Sequence, residues 1–277
     1  MSTSPGALGR PRVHLRRTDS TNERARALAL AGAPHGTLVS AAEQTAGRGR
    51  QGRRWSAPAG SALLASLLLR DPPALLPLAA ALAVCDVAGA DARIKWPNDV
   101  VVLRPPAHHN VMGGSTASGQ PALKATTSEA SAAGANTDAP ALAKLAGILV
   151  EGRPQEGWAV LGIGLNVAVR VEELPPELRD TAATLGRSPK EIEPLLARLL
   201  AALGQRLGEP AAQVLEAWRA RDALYGREVS WAVGHGHAEG IDGSGRLVVR
   251  LSGGEHVALD AGEVHLAPGP PGVRSVL

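Results

Sequence analysis

The sequence predicts an α+β protein in two parts. In the larger part, up to about residue 224, runs with helix-start signals alternate with short apolar runs of strand character. From Arg227 the hydrophobic period changes to two, in the segments EVSWAV, HAEGI, RLVVRL and EHVALD, separated by Gly-rich turns. About fifty residues of this kind predict a small antiparallel barrel, consistent with an SH3-like module.

The elements come in this order. Residues 1–12 read as a flexible tail, with no apolar stretch of signal-peptide type. Ser20, Thr21, Asn22 and Glu23 fit a capping box, a hydroxyl at the N-cap with a carboxylate three residues on, before the helical run that ends at Gly32. Residues 37–42 and 61–69 read as strands, 75–89 as an apolar helix, and 93–96 and 100–103 as short strands. Residues 147–151 and 158–167 are the next strands. Ser188-Pro189-Lys190-Glu191 opens a helix to about residue 207, with Pro at the first helical position. A second helix covers 211–224. The domains expected are therefore 13–224 and 225–277.

Within the larger domain, residues 105–141 are dominated by Pro, Ala, Gly, Ser and Thr, with Val111, Met112 and Leu123 the large apolar residues. Such a segment buries too little surface to offset its ordering entropy, which predicts a disordered insertion within the larger domain. His108 and His109 have no third ligand at metal-binding spacing.

Composition narrows the function classes. The 277 residues are 44% hydrophobic but only 2% aromatic, with no Phe, so Leu, Val, Ile and Ala must build the core. Twenty-nine basic residues nearly balance twenty-six acidic ones, for a net charge of +3. That argues against a nucleic-acid-binding role, which needs a denser basic face. The single cysteine, Cys85, excludes a disulfide framework within the chain and fits a reducing, cytoplasmic compartment. No apolar run reaches the length of a membrane span.

Four motifs carry chemistry. Gly47 to Trp55, GRGRQGRRW, formally contains GxGxxG. The residues after it, however, cannot open the helix that a dinucleotide turn requires, and four arginines crowd the loop. Glycines let backbone approach a ligand and arginines grip phosphate oxygens, so a phosphate-binding loop fits better. In Lys95-Trp96-Pro97-Asn98-Asp99 the lysine can neutralise phosphate and the carboxylate can hold Mg²⁺. Lys144 stands just before the strand GILVE. In Gly162-Ile163-Gly164-Leu165-Asn166, small residues leave room for a ligand against a strand, and Asn166 offers a directional hydrogen bond.

Singly, each motif has an ordinary structural reading; in this order they resemble the biotin–protein ligases. The family's DSTN start, Q-x-A-G-R-G-R-x-G-R-x-W loop, KWPND, K-x-x-G-I-L-x-E and G-I-G-x-N stand here as 19–22, 44–55, 95–99, 144–151 and 162–166. The resemblance covers about 14–266. It implies a mixed central sheet flanked by helices, of the class II synthetase type, with an SH3-like C-terminal domain.

It also implies the roles. Ser20, Thr21, Asn22, Gln44, Arg48, Gly49, Arg50 and Lys144 serve biotin, and Arg53, Lys95, Asn98 and Asn166 serve ATP. Asp99 serves Mg²⁺, and Lys144 and Arg50 lie at the reacting centre. The activity implied is ATP-dependent formation of biotinyl-5'-AMP and transfer to a lysine of a biotin carboxyl carrier protein or domain. Lipoate ligation on the same type of fold, or a non-catalytic ligand-binding module, are the competing readings. Eighteen residues before Asp19 are too few for the DNA-binding helix-turn-helix of some family members, so the expectation is a ligase without DNA or membrane contact. Acceptor identity and oligomeric state, monomer or homodimer, stay open.

Overall fold

The computed structural model describes residues 8–104, 141–153, 156–260 and 264–266. In chain order the first elements are β1 (Arg12–Leu15), α1 (Thr21–Leu30), β2 (Leu38–Ala41), β3 (Gly47–Arg48) and β4 (Arg54–Trp55). β5 (Ala62–Arg70), α2 (Leu76–Ala88), β6 (Arg93–Lys95), β7 (Asp99–Arg104), β8 (Ala141–Arg153) and β9 (Trp158–Asn166) come next. Then come α3 (Pro176–Arg179), α4 (Ile192–Leu207) and α5 (Ala211–Arg219). The last strands are β10 (Glu228–Trp231), β11 (Gly234–Ile241), β12 (Leu247–Arg250), β13 (His256–Leu259) and β14 (His265–Leu266).

The centre is a seven-stranded mixed sheet in the order β1-β2-β5-β9-β8-β7-β6. β1 runs parallel to β2, whereas β2–β5, β5–β9, β8–β9 and β6–β7 are antiparallel. The period-two alternation of β5 explains its two faces. Leu63, Ala65, Leu67 and Leu69 join the main core with α2, α4 and α5. Leu68 faces the other way, into a smaller cluster with Ala25 and Ala29 of α1. Ser66 lies on that second face and is fully buried, and Arg70 ends the same face by donating to Ala29 O and Ala33 O. In β9, Ala159, Leu161, Ile163 and Leu165 likewise enter the main core, which leaves Gly162, Gly164 and Asn166 on the face of Ser66.

Several expectations need correction. Residues 8–12 are not a tail: the Gly9 amide donates to Gly36 O (2.8 Å), Leu38 N donates to Pro11 O (2.9 Å), and β1 begins at Arg12. Ser20 is the N-cap of α1, but its side chain makes no capping hydrogen bond. Glu23 pairs instead with Arg26 and Arg48, so the expected box does not form. The second start signal does form its box, with Ser188 N donating to Glu191 and Lys190 N to the Ser188 hydroxyl. β8 begins at Ala141, well before the expected 147, so the insertion ends one residue earlier than its composition suggested. The predicted disorder of 105–140, with His108 and His109, lies outside the described residues. α5 stops at Arg219 rather than 224, because Arg221 O and Ala223 N are taken by the Ile94 backbone at the edge of the central sheet.

The C-terminal strands form a five-stranded antiparallel sheet, β13-β12-β11-β10-β14. Among the described residues its pairings leave two edges and do not close into the expected barrel. Val229, Ala238, Ile241, Leu247 and Val249 belong to the same apolar core as α2 and the central sheet. Trp96 Nε1 donates to Gly245 O (3.1 Å), which adds a polar tie.

Candidate active site

The polar floor lies where α1 begins over the central sheet. Thr21 N donates to Gln44 Oε1 at 2.7 Å, and Thr21 Oγ1 lies 3.0 Å from the same oxygen. Ser66 Oγ lies 2.8 Å from Thr21 Oγ1 and 2.6 Å from Asn22 Oδ1. Asn22 Nδ2 donates to Glu151 Oε2 at 2.9 Å. Ser20, Thr21 and Asn22 are all buried, so their polar groups depend on such partners. The same packing explains Gly162. A Cβ at 162 would overlap the Asn22 amide, so the space expected for a ligand holds the protein's own side chain.

The arginine loop is a small hairpin, β3 against β4. Gly49 N donates to Arg53 O (2.8 Å), and the turn between them places Gln51 (φ 54°) and Gly52 (φ 76°) in the left-handed region. Arg48 bridges Glu23 and Glu151, each at 3.0 Å, which ties the loop to α1 and β8. Trp55 closes the hairpin and lies on the sheet over Gly147 and Gly164, which face each other across β8 and β9. A Cβ at Gly164 would come within 2.5 Å of the indole, so glycine is required there for close approach. Both small residues singled out in this motif therefore accommodate side chains of the chain itself.

Beside the hairpin is a cluster of cations around one carboxylate. Arg50, Gln51, Arg53, Lys95, Trp96, Asn98, Asp99 and Val264 line a cleft of about 40 Å³. Lys144 Nζ stands 2.7 Å from Asp99 Oδ1 and 5.7 Å from the centre of the Trp55 ring. The Lys144–Asp99 contact is an ion pair. Burial holds the Lys95 ammonium below its ordinary range, with Lys144 and Arg53 adding repulsion against the opposing pull of Asp99. Burial also lowers Arg50, with Asp99 opposing. His265 of β14 is lowered by burial and by Lys95 and Arg53, so the cations of the cleft act on the C-terminal sheet. Asn98 anchors the cleft to β8, its Nδ2 donating to Ile148 O (2.9 Å).

Asn166 stands apart from this cleft. It is buried and donates Nδ2 to Ala183 O (2.8 Å), with Leu185 N bonded to its own carbonyl. A much larger cavity, about 970 Å³, lies between β1 and α4 and is lined by Arg12, Arg70 and Glu193 among others. None of the sequence-predicted site residues lines it. Among the described residues no cluster of three His, Cys, Asp or Glu is set to hold a metal. Sequence reasoning gave Ser66, Glu151 and Trp55 no role, and Glu23 only that of a helix-capping carboxylate. A lone polar residue in the apolar run ALLASLLLR was the available sign of Ser66.

Residues 14–167 match the family described as the biotin/lipoate A/B protein ligase family, and 226–266 match the biotin protein ligase C terminal domain. A biotin–(acetyl-CoA-carboxylase) ligase of Paracoccus denitrificans is 34% identical over 277 residues, covering 90% of this chain and 98% of the relative. Its namesake from Mycobacterium tuberculosis is 32% identical over 269 residues, covering 89% and 85%. The structure of a biotin protein ligase from Aquifex aeolicus in complex with biotin and ATP has a TM-score of 0.66 at 24% identity, covering 92% and 98%, a likeness of fold.

Proposed function

The chain belongs to the biotin/lipoate A/B protein ligase family, and on that premise we propose that it joins biotin to AMP and passes it to a lysine of a carboxylase's biotin carboxyl carrier protein or domain. The observation that carries this reading is the convergence of Arg50, Arg53, Lys95 and Lys144 about Asp99, beside the polar floor of Thr21, Asn22 and Gln44.

Two anions must meet for the first step. A biotin carboxylate oxygen attacks the α-phosphorus of ATP, the bond to the β-phosphate breaks, and pyrophosphate leaves with the electron pair. Cations held in advance offset the repulsion and the charge developing on phosphorus, so catalysis is mainly positioning and electrostatics. Lys144 is placed for the biotin carboxylate or the α-phosphate, and Arg50 for the phosphate of the adenylate. Arg53 and Lys95 serve the rest of the nucleotide, with Asn98 holding the cleft wall. In the second step the acceptor amine attacks the acyl carbon, an amide forms and AMP leaves.

Mg²⁺ suits this site because it needs only one or two protein carboxylates when phosphates and water supply its other ligands. Asp99, a carboxylate in the cleft among the cations, fits that part; the metal would supply neutralisation of the phosphates. The C-terminal match to a biotin protein ligase domain favours biotin over lipoate. We further assign the part up to about residue 224, β1 included, to catalysis, and the five-stranded sheet that follows to the family's C-terminal domain.

The test is ATP–pyrophosphate exchange with biotin or lipoate as the sole acid, followed by mass analysis of a carrier domain incubated with each. Exchange and a mass increase with biotin alone is the expected result. Exchange only with lipoate, or with neither, would overturn the reading.

A further inference from the structure

We propose that Glu151 and Ser66 are positioning residues for the biotin subsite, acting through Asn22, Thr21 and Arg48 rather than on the substrate; this rests on the function proposed above. Neither residue is needed to complete the cation cluster, yet together they join three of the side chains assigned to biotin, Thr21, Asn22 and Arg48.

Proton counting shows how tightly the arrangement is set. Asn22 Nδ2 is committed to Glu151 Oε2, so the other end of the amide must be oxygen, and it accepts from Ser66 Oγ at 2.6 Å. Gln44 Oε1 takes the Thr21 amide at 2.7 Å, which turns Gln44 Nε2 away from α1 and toward Gly47. Two side-chain amides of the subsite, each free to flip in isolation, are thereby given one orientation. Ser66 is fully buried on β5, so its hydroxyl has few alternatives to these partners. Glu151 spends its second oxygen on Arg48 (3.0 Å), whose other nitrogen reaches Glu23 (3.0 Å). One carboxylate therefore couples the floor of the subsite to the glycine loop above it. Charge-assisted contacts of this kind are the stronger class of hydrogen bond, and leaving one partner unsatisfied is costly.

Gly162 is the third part of the arrangement, since a Cβ there would overlap the Asn22 amide that the other two hold. All three positions lie on adjacent strands, β5, β9 and β8, which supply a rigid base.

The experiment compares wild type with Ser66→Ala, Glu151→Gln and Glu151→Ala, measuring pyrophosphate exchange at varied biotin and varied ATP, together with Tm. Glu151→Gln keeps an acceptor for Asn22 but cannot pair with Arg48, and it is nearly isosteric, so folding should survive. A positioning role gives an increase in KM for biotin of about tenfold or more, KM for ATP within about twofold, and little change in Tm. In an Arg48→Ala background, Glu151→Gln should then have almost no further effect, because its partner is already gone. A Tm drop with both KM values raised together would assign the residues to stability and overturn the proposal, as would full additivity with Arg48→Ala. Unchanged variants of an active wild type would overturn the proposal alone. A wild type without biotin-dependent exchange would overturn it together with the functional reading.

Discussion

At the scale of single residues, Lys144 is the most exposed to test. It is held between a carboxylate and an indole face. Lys144→Ala should slow biotin-dependent pyrophosphate exchange by roughly a hundredfold, as for loss of other preorganised electrostatic contacts; exchange near the wild-type rate would remove Lys144 from the reacting centre. Arg50 stands in the cleft, where burial lowers its pKa. If it retains the adenylate, Arg50→Gly should release biotinyl-5'-AMP and biotinylate bystander lysines, which a blot of added serum albumin would detect; strict acceptor specificity in that variant would refute the role. Much of this site was legible in the chain, because loops rich in Gly, Arg and Lys advertise their chemistry locally. What stayed hidden were relations between distant segments. That Gly162 clears Asn22 and Gly164 clears Trp55 depends on which strands become neighbours, and no local pattern records it.

At the scale of elements, strands with a buried face were readable, whereas β1 was not. ALLASLLLR announces β5, but RVHL of β1 is only four residues long and lies mostly exposed at the sheet edge. The end of α5 was likewise invisible, since it is set by pairing with Ile94. Asp222 sits at that junction. Its Oδ1 accepts from Leu224 N (2.8 Å), while Oδ2 is buried without a partner. Burial pushes the carboxyl from its ordinary 3.8 up to about 6. A raised folded-state pKa means stability that is full below about 3.8 and lost as pH rises through about 6. Asp222→Asn, which keeps the acceptor but not the charge, should therefore stabilise the protein above about pH 6 by on the order of 1–2 kcal/mol. The advantage should fade toward about pH 4. Melting curves across this range check it, and a pH-independent difference would show that ionisation at Asp222 is not the cause.

At the scale of the whole molecule, β7 and β8 are neighbours in the sheet although 36 residues of Pro-, Ala- and Ser-rich sequence, 105–140, separate them in the chain. Replacing 105–140 by a short Gly/Ser linker should leave adenylation intact, because closure entropy changes slowly with loop length. Loss of adenylation in a folded variant would show that the segment serves the site. The strand order carries a further consequence. The chain up to Arg104 supplies β1, β2, β5, β6 and β7, and the chain from Ala141 supplies β8 and β9, which sit between β5 and β7. The two halves interleave like the teeth of a comb, with Gln44, Arg50, Lys95 and Asp99 on one and Lys144 and Glu151 on the other. Expressed as separate polypeptides, neither half has a site, and activity should return only when they recombine. The same order makes a single proteolytic nick between them survivable, since two strand ladders still hold the fragments together.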